Sequence, residues 1–328
     1  MKNRSVSHIR PARTSLKRMH IPDGFLDTPT AAATAALALA GVAVALRRAR
    51  QGMPPRQVPL IGLAAAFVFA AQMLNFPVAA GTSGHLMGGV LVAVLLGPAA
   101  AIVVMTAVLV LQCFMFADGG VTALGANVLN IGLVPVLAGY GIYRLVRTLA
   151  GPGDRALLLA AGFAAWCSTV IAAAACAIEL SAAGVVSLKL ALPAMTGVHM
   201  LIGLGEAAIT MLVLVAVMRS RPELLEAAAA PGRPAPGARW AVLGVLASLV
   251  LLAPFASSLP DGLEHVAERL GFAGQAGQAL GAPLPDYALP ALDSSLGATL
   301  AAGAVGTLVA FLLAWLLARM LAPARPPG

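Results

Sequence analysis

Five histidines punctuate a chain of 328 residues: His8, His20, His85, His199 and His265. His20 follows Met19 directly. A chain that began at Met19 would offer one small cation three nitrogens: a free α-amine, the next amide nitrogen and the imidazole of its second residue. A fourth nitrogen from His85 would close a square plane. Square-planar nitrogen ligation suits Ni(II) or Cu(II), with Co(II) within reach. The competing reading is a pair of histidines that cap helix ends or hydrogen-bond their own loops. Spacing alone leaves both open.

Other residues invite chemistry less strongly. His199, Gly203 and Glu206 fall at i, i+4 and i+7, one helix face. Glu206 lies in the middle of an apolar stretch, where a carboxylate is costly and is usually functional or paired. It reads as a transit site for metal or as a structural hydrogen-bond partner. Gly81-Thr82-Ser83-Gly84 fits G-x-S-G, so an intramembrane serine protease with Ser83 as nucleophile and His199 as base is an alternative. The simpler reading of Ser83 is a turn residue that orients the loop before His85. Asp23, next to Gly24, is expected to close a turn, and Asn127 to hold a ligand by hydrogen bonding or to pack. Glu264 and His265 could collect metal or form a solvated helix face. Cys113, Cys167 and Cys176 make no CxxC, and no G-x-x-x-x-G-K-[ST] phosphate loop exists, so any ATP hydrolysis belongs to other chains.

The elements that position these residues follow from composition. Sixty per cent of the chain is apolar, 10% is charged, and the mean hydropathy is +0.91. A soluble core of this length cannot hide that much apolar surface. The expected class is all-α, a polytopic membrane protein. Spans are predicted near 28–46, 58–79, 85–96, 99–117, 124–143, 156–178 and 195–218, and two more near 240–256 and 297–318. The bases that follow spans one, five, seven and nine all fall on one side, read as the cytoplasm. The chain before span one then lies outside, and the C-terminus inside.

Residues 1–18 conflict with that orientation. They hold six bases and no acid; without them the formal charge falls from +8 to +2. The high pI is therefore no sign of nucleic-acid binding. Residues 1–18 are expected to be an extension absent from the mature chain, which would begin at Met19. The expected organisation is a seven-helix membrane module at 19–221, a Pro/Gly/Ala linker at 222–239 and a two-span module at 240–328. In the outer loop of the latter, Asp261 is placed to cap a short amphipathic helix with Leu263, Val266, Ala267 and Leu270 on one face.

Four segments resemble one family. Met19-His20-Ile21-Pro22-Asp23-Gly24-Phe25-Leu26 closely resembles the start of the CbiM/NikM family. Gly81–Gly89, Phe116–Gly120 with Leu124–Asn127, and His199–Glu206 resemble its later motifs. Pro260-Asp261-Gly262-Leu263-Glu264 looks like the PDGLE segment of the accessory N subunit, here fused. The resemblance implies the S component of an energy-coupling-factor (ECF) transporter that imports Ni(II) or Co(II), nickel mildly favoured, through the cytoplasmic (inner) membrane. It implies metal ligation by the Met19 amine, the His20 amide and imidazole nitrogens, and His85. Ser83, Asn127, His199 and Glu206 would act around that site or along the transit path. It implies a transmembrane T subunit (CbiQ/NikQ-like) and a cytosolic ATPase (CbiO/NikO-like) as partners, with the metal as cargo and no permanent cofactor. The departure is residues 1–18, which turn the amine at Met19 into an amide that binds metal only after losing its proton. The outer loop of the fused module offers carboxylates but no tight metal site, so the seven-helix module is expected to hold the metal by itself.

Overall fold

The computed structural model describes residues 19–225 and 238–322. The basic extension at 1–18 and residues 226–237, most of the expected linker, lie outside the described residues. So do 323–328.

Eleven helices carry the fold among the described residues. They are α1 (Thr28–Gly52), α2 (Val58–Gln72), α3 (Gly89–Leu96), α4 (Pro98–Phe116), α5 (Leu124–Asn127), α6 (Val134–Ala150), α7 (Asp154–Ala182), α8 (Leu188–Ser220), α9 (Ala238–Leu252), α10 (Gly262–Leu270) and α11 (Ser295–Leu321). A π-helical turn, Val128–Leu133, joins α5 to α6, so Leu124–Ala150 runs as one element. Six described helices have the length and apolarity to cross a membrane; α2 and α9, at 15 residues each, and α3, at 8, are shorter. The protein is an all-α, polytopic membrane protein. Counting Leu124–Ala150 as one, seven helices precede residue 226; α9 and α11 follow, with α10 between them.

Two expected spans are cut short. The predicted 58–79 ends at Gln72, because Pro77 cannot donate a backbone hydrogen bond and the chain turns into a hairpin. Its strands, β1 (Phe76–Pro77) and β2 (Ser83–Gly84), pair antiparallel. The predicted 85–96 begins only at Gly89, because Glu206 of α8 captures the N–H groups of Met87 and Gly88. A loop of some length therefore stands where one helix was expected to end and the next to begin, and His85 lies in it.

Helix α4 is apolar all round and buried along most of its length, which places it at the centre of the bundle. α7 lies along α8, and α11 lies along α2. The α11 seam repeats small residues every fourth position, Ala302, Gly306, Ala310, Ala314 and Ala318, all buried. Such a seam lets two backbones approach closely, so dispersion contacts can hold helices together where lipid offers no hydrophobic drive. The C-terminal helix is thereby built into the core of the first seven. α10 has a capping box: Asp261 accepts from the Glu264 N–H at 2.8 Å, and the Glu264 carboxylate receives the Asp261 N–H.

Candidate metal centre

The segment from Met19 to Phe25 is irregular, with bends at its start and a turn at Gly24 (φ 91), and enters the bundle as an inserted strap. Ile21 and Phe25 are buried apolar anchors. Between them the backbone is held by the loop after α4. Ala117 ends α4 in the left-handed conformation (φ 57), which turns the chain and delivers Asp118 beneath Met19. The Met19 backbone nitrogen donates to Asp118 Oδ1 at 2.9 Å. The His20 Nδ1 lies 3.0 Å from the same oxygen, off the line of a good hydrogen bond, and the buried Nε2 meets no protein partner. Burial alone would raise the Asp118 carboxyl; the His20 imidazole, the Tyr287 hydroxyl and the Met19 N–H together hold it below the usual carboxylate range. Gly119 (φ +90) completes the turn: a Cβ there would stand 2.9 Å from Asn127 Nδ2 and 3.1 Å from His20 Cβ.

Asn127 and Asp23 fasten the rest of the strap. The Ile21 N–H donates to Asn127 Oδ1 at 2.9 Å, and Asn127 Nδ2 donates to the Ile21 carbonyl at 3.0 Å. Asp23 Oδ1 accepts from the Thr122 N–H and hydroxyl at 2.8 and 2.7 Å; its Oδ2 accepts from the Ala279 N–H at 2.7 Å. Asp23 therefore ties the strap to two distant loops rather than closing the local turn expected from its place before Gly24.

The hairpin brings His85 against the strap. The His20 and His85 ring centroids are 5.9 Å apart, with planes inclined at 63°. His85 Nδ1 stands 3.1 Å from the Leu86 carbonyl. A carbonyl can only accept, so Nδ1 carries the proton and Nε2 keeps its lone pair. Burial first, and His20 second, push His85 down to about 4, so the imidazole is neutral near pH 7. His199 repeats the arrangement: its Nδ1 stands 2.7 Å from the Met195 carbonyl. Met19, His20, His85, Asn127 and His199 all line one cavity of about 80 Å³. Among the described residues, no cluster of three or more His, Cys, Asp and Glu side chains could hold a metal by itself.

The remaining sequence candidates lie around this cavity in different roles. Both Glu206 oxygens are engaged, at 2.6 Å from Met87 N and 2.8 Å from Gly88 N. Glu206 thus fixes the turn that follows His85, and it does not line the cavity. Met87 is held a second time, its carbonyl accepting from Gln72 Nε2 at 3.1 Å. Ser83 donates to the Leu259 carbonyl at 2.8 Å. Its partners are the Leu259 and Pro260 carbonyls, and among the described residues no hydrogen bond joins it to His199, so the Ser83–His199 pair needed by a protease is not assembled.

The loop between α9 and α11 forms a wall of the cavity, where the sequence led to the expectation that the first seven helices hold the metal unaided. The Pro260 carbonyl accepts from Ser83 N at 2.8 Å and Thr82 Oγ1 at 3.1 Å. Asp261 and Gly262 line the cavity itself. At Gly262 a Cβ would stand 2.6 Å from His199 Cε1, so only glycine permits this approach. Burial, then Glu264, pushes the Asp261 carboxyl well above its usual range. Asp118, Asp261 and Tyr287 were not singled out in sequence as site residues. Asp118 had a signal available, an acid beside two glycines within a recognised motif; Tyr287 had none.

The chain is similar to known metal transport proteins. The family model for the cobalt uptake substrate-specific transmembrane region, CbiM, matches residues 20–224. The PDGLE domain model matches residues 238–323. The chain is 40% identical over 298 residues to a putative fused nickel transport protein NikMN of Archaeoglobus fulgidus, covering 88% of this chain and 95% of the relative. It is 35% identical over 307 residues to the fused nickel transport protein NikMN of Rhodobacter capsulatus, covering 82% and 88%. A crystal structure of a truncated transition metal transporter superposes with a TM-score of 0.56 at 33% identity, covering 61% of this chain and 99% of the other.

Proposed function

The chain belongs to the CbiM family, here joined to a PDGLE domain, and from that premise we propose that it is the substrate-binding membrane subunit of an importer for Ni(II) or Co(II). The observation that carries the reading is the meeting of the His20 and His85 rings at 5.9 Å beside the Met19 nitrogen in one buried cavity. In this reading Met19 is the mature N-terminus. Its amine, the His20 amide and imidazole nitrogens and His85 bind the cargo.

The chain's own residues prepare that step. Asp118 receives the Met19 nitrogen, so it pre-pays the ordering of that ligand group; metal binding at the His20 imidazole displaces its contact with Nδ1. For a free terminus the same contact is an ammonium–carboxylate pair, and metal capture expels a proton from it. His85 presents a neutral imidazole whose orientation is set by the Leu86 carbonyl. His199, of the same tautomer, stands in the cavity as a transit group. Asn127 and Glu206 hold the strap and the loop that bring the ligands together.

The finer assignments follow the sequence. The four-nitrogen set favours nickel mildly over cobalt, through its preference for a square plane and its higher place in the affinity order. With no phosphate-binding loop in the chain, uptake energy comes from a cytosolic ATPase acting through a transmembrane T subunit. The protein is an inner-membrane component with its mature N-terminus outside and C-terminus inside. The module at 19–221, the linker at 222–239 and the module at 240–328 remain its working divisions. The deciding experiment is metal analysis of protein begun at Met19. Near-stoichiometric nickel or cobalt, lost in His85→Ala, is expected; equal metal in both would overturn the assignment.

A further inference from the structure

The group that orients the Asp118 carboxylate comes from the other module. Tyr287 lies in the loop between α10 and α11 and is 8% exposed. Its hydroxyl donates to Asp118 Oδ2 at 2.6 Å. Oδ1 of the same carboxylate receives the Met19 nitrogen and faces His20 Nδ1. One oxygen is thus committed to the phenol, and the other is left for the two groups of the strap.

The rest of the structure is arranged to hold that phenol. Its ring stacks on Phe116, centroids 4.7 Å apart and planes 18° off parallel, and touches Phe69 at 6.1 Å. The Gln112 side chain also reaches the hydroxyl. Asp286 and Tyr287 both have left-handed backbones, φ 55 and 56, a conformation that non-glycine residues adopt only when their surroundings enforce it. Packing alone does not call for a hydroxyl, since phenylalanine would bury the same ring. A buried carboxylate with two free oxygens can rotate; one oxygen fixed by a charge-assisted hydrogen bond cannot.

We propose that Tyr287 is a positioning residue of the metal centre. It fixes Asp118 so that Oδ1 orients the Met19 nitrogen, and it makes the fused module a contributor to metal affinity. The proposal rests on the metal-site reading given above. It goes beyond that reading by assigning the hydroxyl of one residue, 169 positions from Asp118, a role in ligand geometry.

The test uses the full chain purified from membranes, titrated with Ni(II) and followed by its d–d absorption band. Tyr287→Phe keeps the ring, so its apo unfolding temperature should stay close to wild type. Its nickel affinity should fall roughly ten- to a hundredfold, as for other groups that hold a ligand from behind, and its band should shift. Asp118→Asn reads the same contact from the other side, and adding Tyr287→Phe to it should cause little further loss. Wild-type affinity and an unshifted band in Tyr287→Phe would overturn the proposal. So would full additivity with Asp118→Asn. If Tyr287→Phe does not insert, wild-type affinity in Asp118→Asn overturns it equally. His85→Ala is the control: nickel retained there overturns the site reading, whereas nickel lost there with normal Tyr287→Phe overturns only the role of Tyr287.

Discussion

Asn127 pairs its side-chain amide with both polar groups of Ile21, accepting the N–H at 2.9 Å and donating to the carbonyl at 3.0 Å. A side chain here supplies what a neighbouring strand supplies in a sheet. The peptide so held follows His20 directly, so the clamp fixes the direction from which the imidazole enters the cavity. Asn127→Ala would leave the buried Ile21 N–H unpaired, at about 1–3 kcal/mol, while the Ile21 carbonyl keeps the Gly120 N–H. Asn127→Asp can still accept but cannot donate, so it should recover only part of the loss. Protease sensitivity of the 19–25 strap is the measurement, with the order wild type, Asp, Ala expected. An unchanged digestion pattern in Asn127→Ala would remove the clamp from the account.

His85 and His199 line one cavity yet should differ in consequence. His85 lies beside His20, whereas His199 sits on α8 across from the strap. His85→Ala is expected to abolish most metal binding without loss of insertion, and His199→Ala to weaken it modestly. Isothermal titration of the two variants compares them directly. A larger loss in His199→Ala would move the fourth ligand from the hairpin to α8.

The state of the Met19 nitrogen should govern affinity. A free α-amine has a pKa of about 7.7–8.0 and is available near neutral pH, whereas an amide is not. One residue added before Met19 should therefore weaken binding sharply although His20 and His85 remain. N-terminal sequencing of protein extracted from membranes should read Met-His-Ile-Pro. Recovery of an intact Met1 terminus on protein that binds nickel tightly would refute both the start at Met19 and the amine ligand.

The fused module should matter for binding as well as for transport. Its Pro260 carbonyl anchors Ser83, and Gly262 closes on His199. Gly262→Ala places a methyl where 2.6 Å separates it from the His199 ring, so the segment must lift from the cavity. Faster release of bound metal is the expected result, by roughly tenfold or more, and deletion of residues 240–328 should do at least as much. Release kinetics measured with a chelator decide this, and unchanged rates in both proteins would restore the view that the first seven helices suffice.

The burial of His85 predicts a pH dependence in the metal-free protein. Its folded value of about 4 lies below the ordinary 6.5, so the unfolded chain binds a proton first as pH falls. Stability should be complete above about pH 6.5, decline toward about pH 4 and level off below it. Asp118, held below the usual range, loses its contribution only at lower pH, and Asp261 acts with the opposite sign. Those two are common to wild type and His85→Gln. The difference between the two unfolding-temperature profiles in detergent therefore isolates His85, and parallel profiles from pH 7 to 4 would contradict the burial argument.

The sequence by itself determined the class of the protein and the ingredients of its site. Apolar runs too long for a soluble core dictate helices in a membrane, because lipid leaves backbone groups no other partners. Asp261 and the apolar positions after it announced α10, since capping and helical periodicity are local. Met19-His20 and His85 could be named as candidate ligands because residue type and the resemblance of two short motifs are local, although spacing alone left their role open. Tertiary structure decided what those ingredients touch. Nothing near His85 reveals that Glu206, well over a hundred residues away, delays the start of α3 and holds the loop. Nothing near Tyr287 points to Asp118, nor near Pro260 to Thr82 and Ser83. These are one or two hydrogen bonds between residues 118 to 178 positions apart, each set by how whole helices pack. A lone polar group carries no periodicity, so its partner becomes readable only once the chain has folded around it.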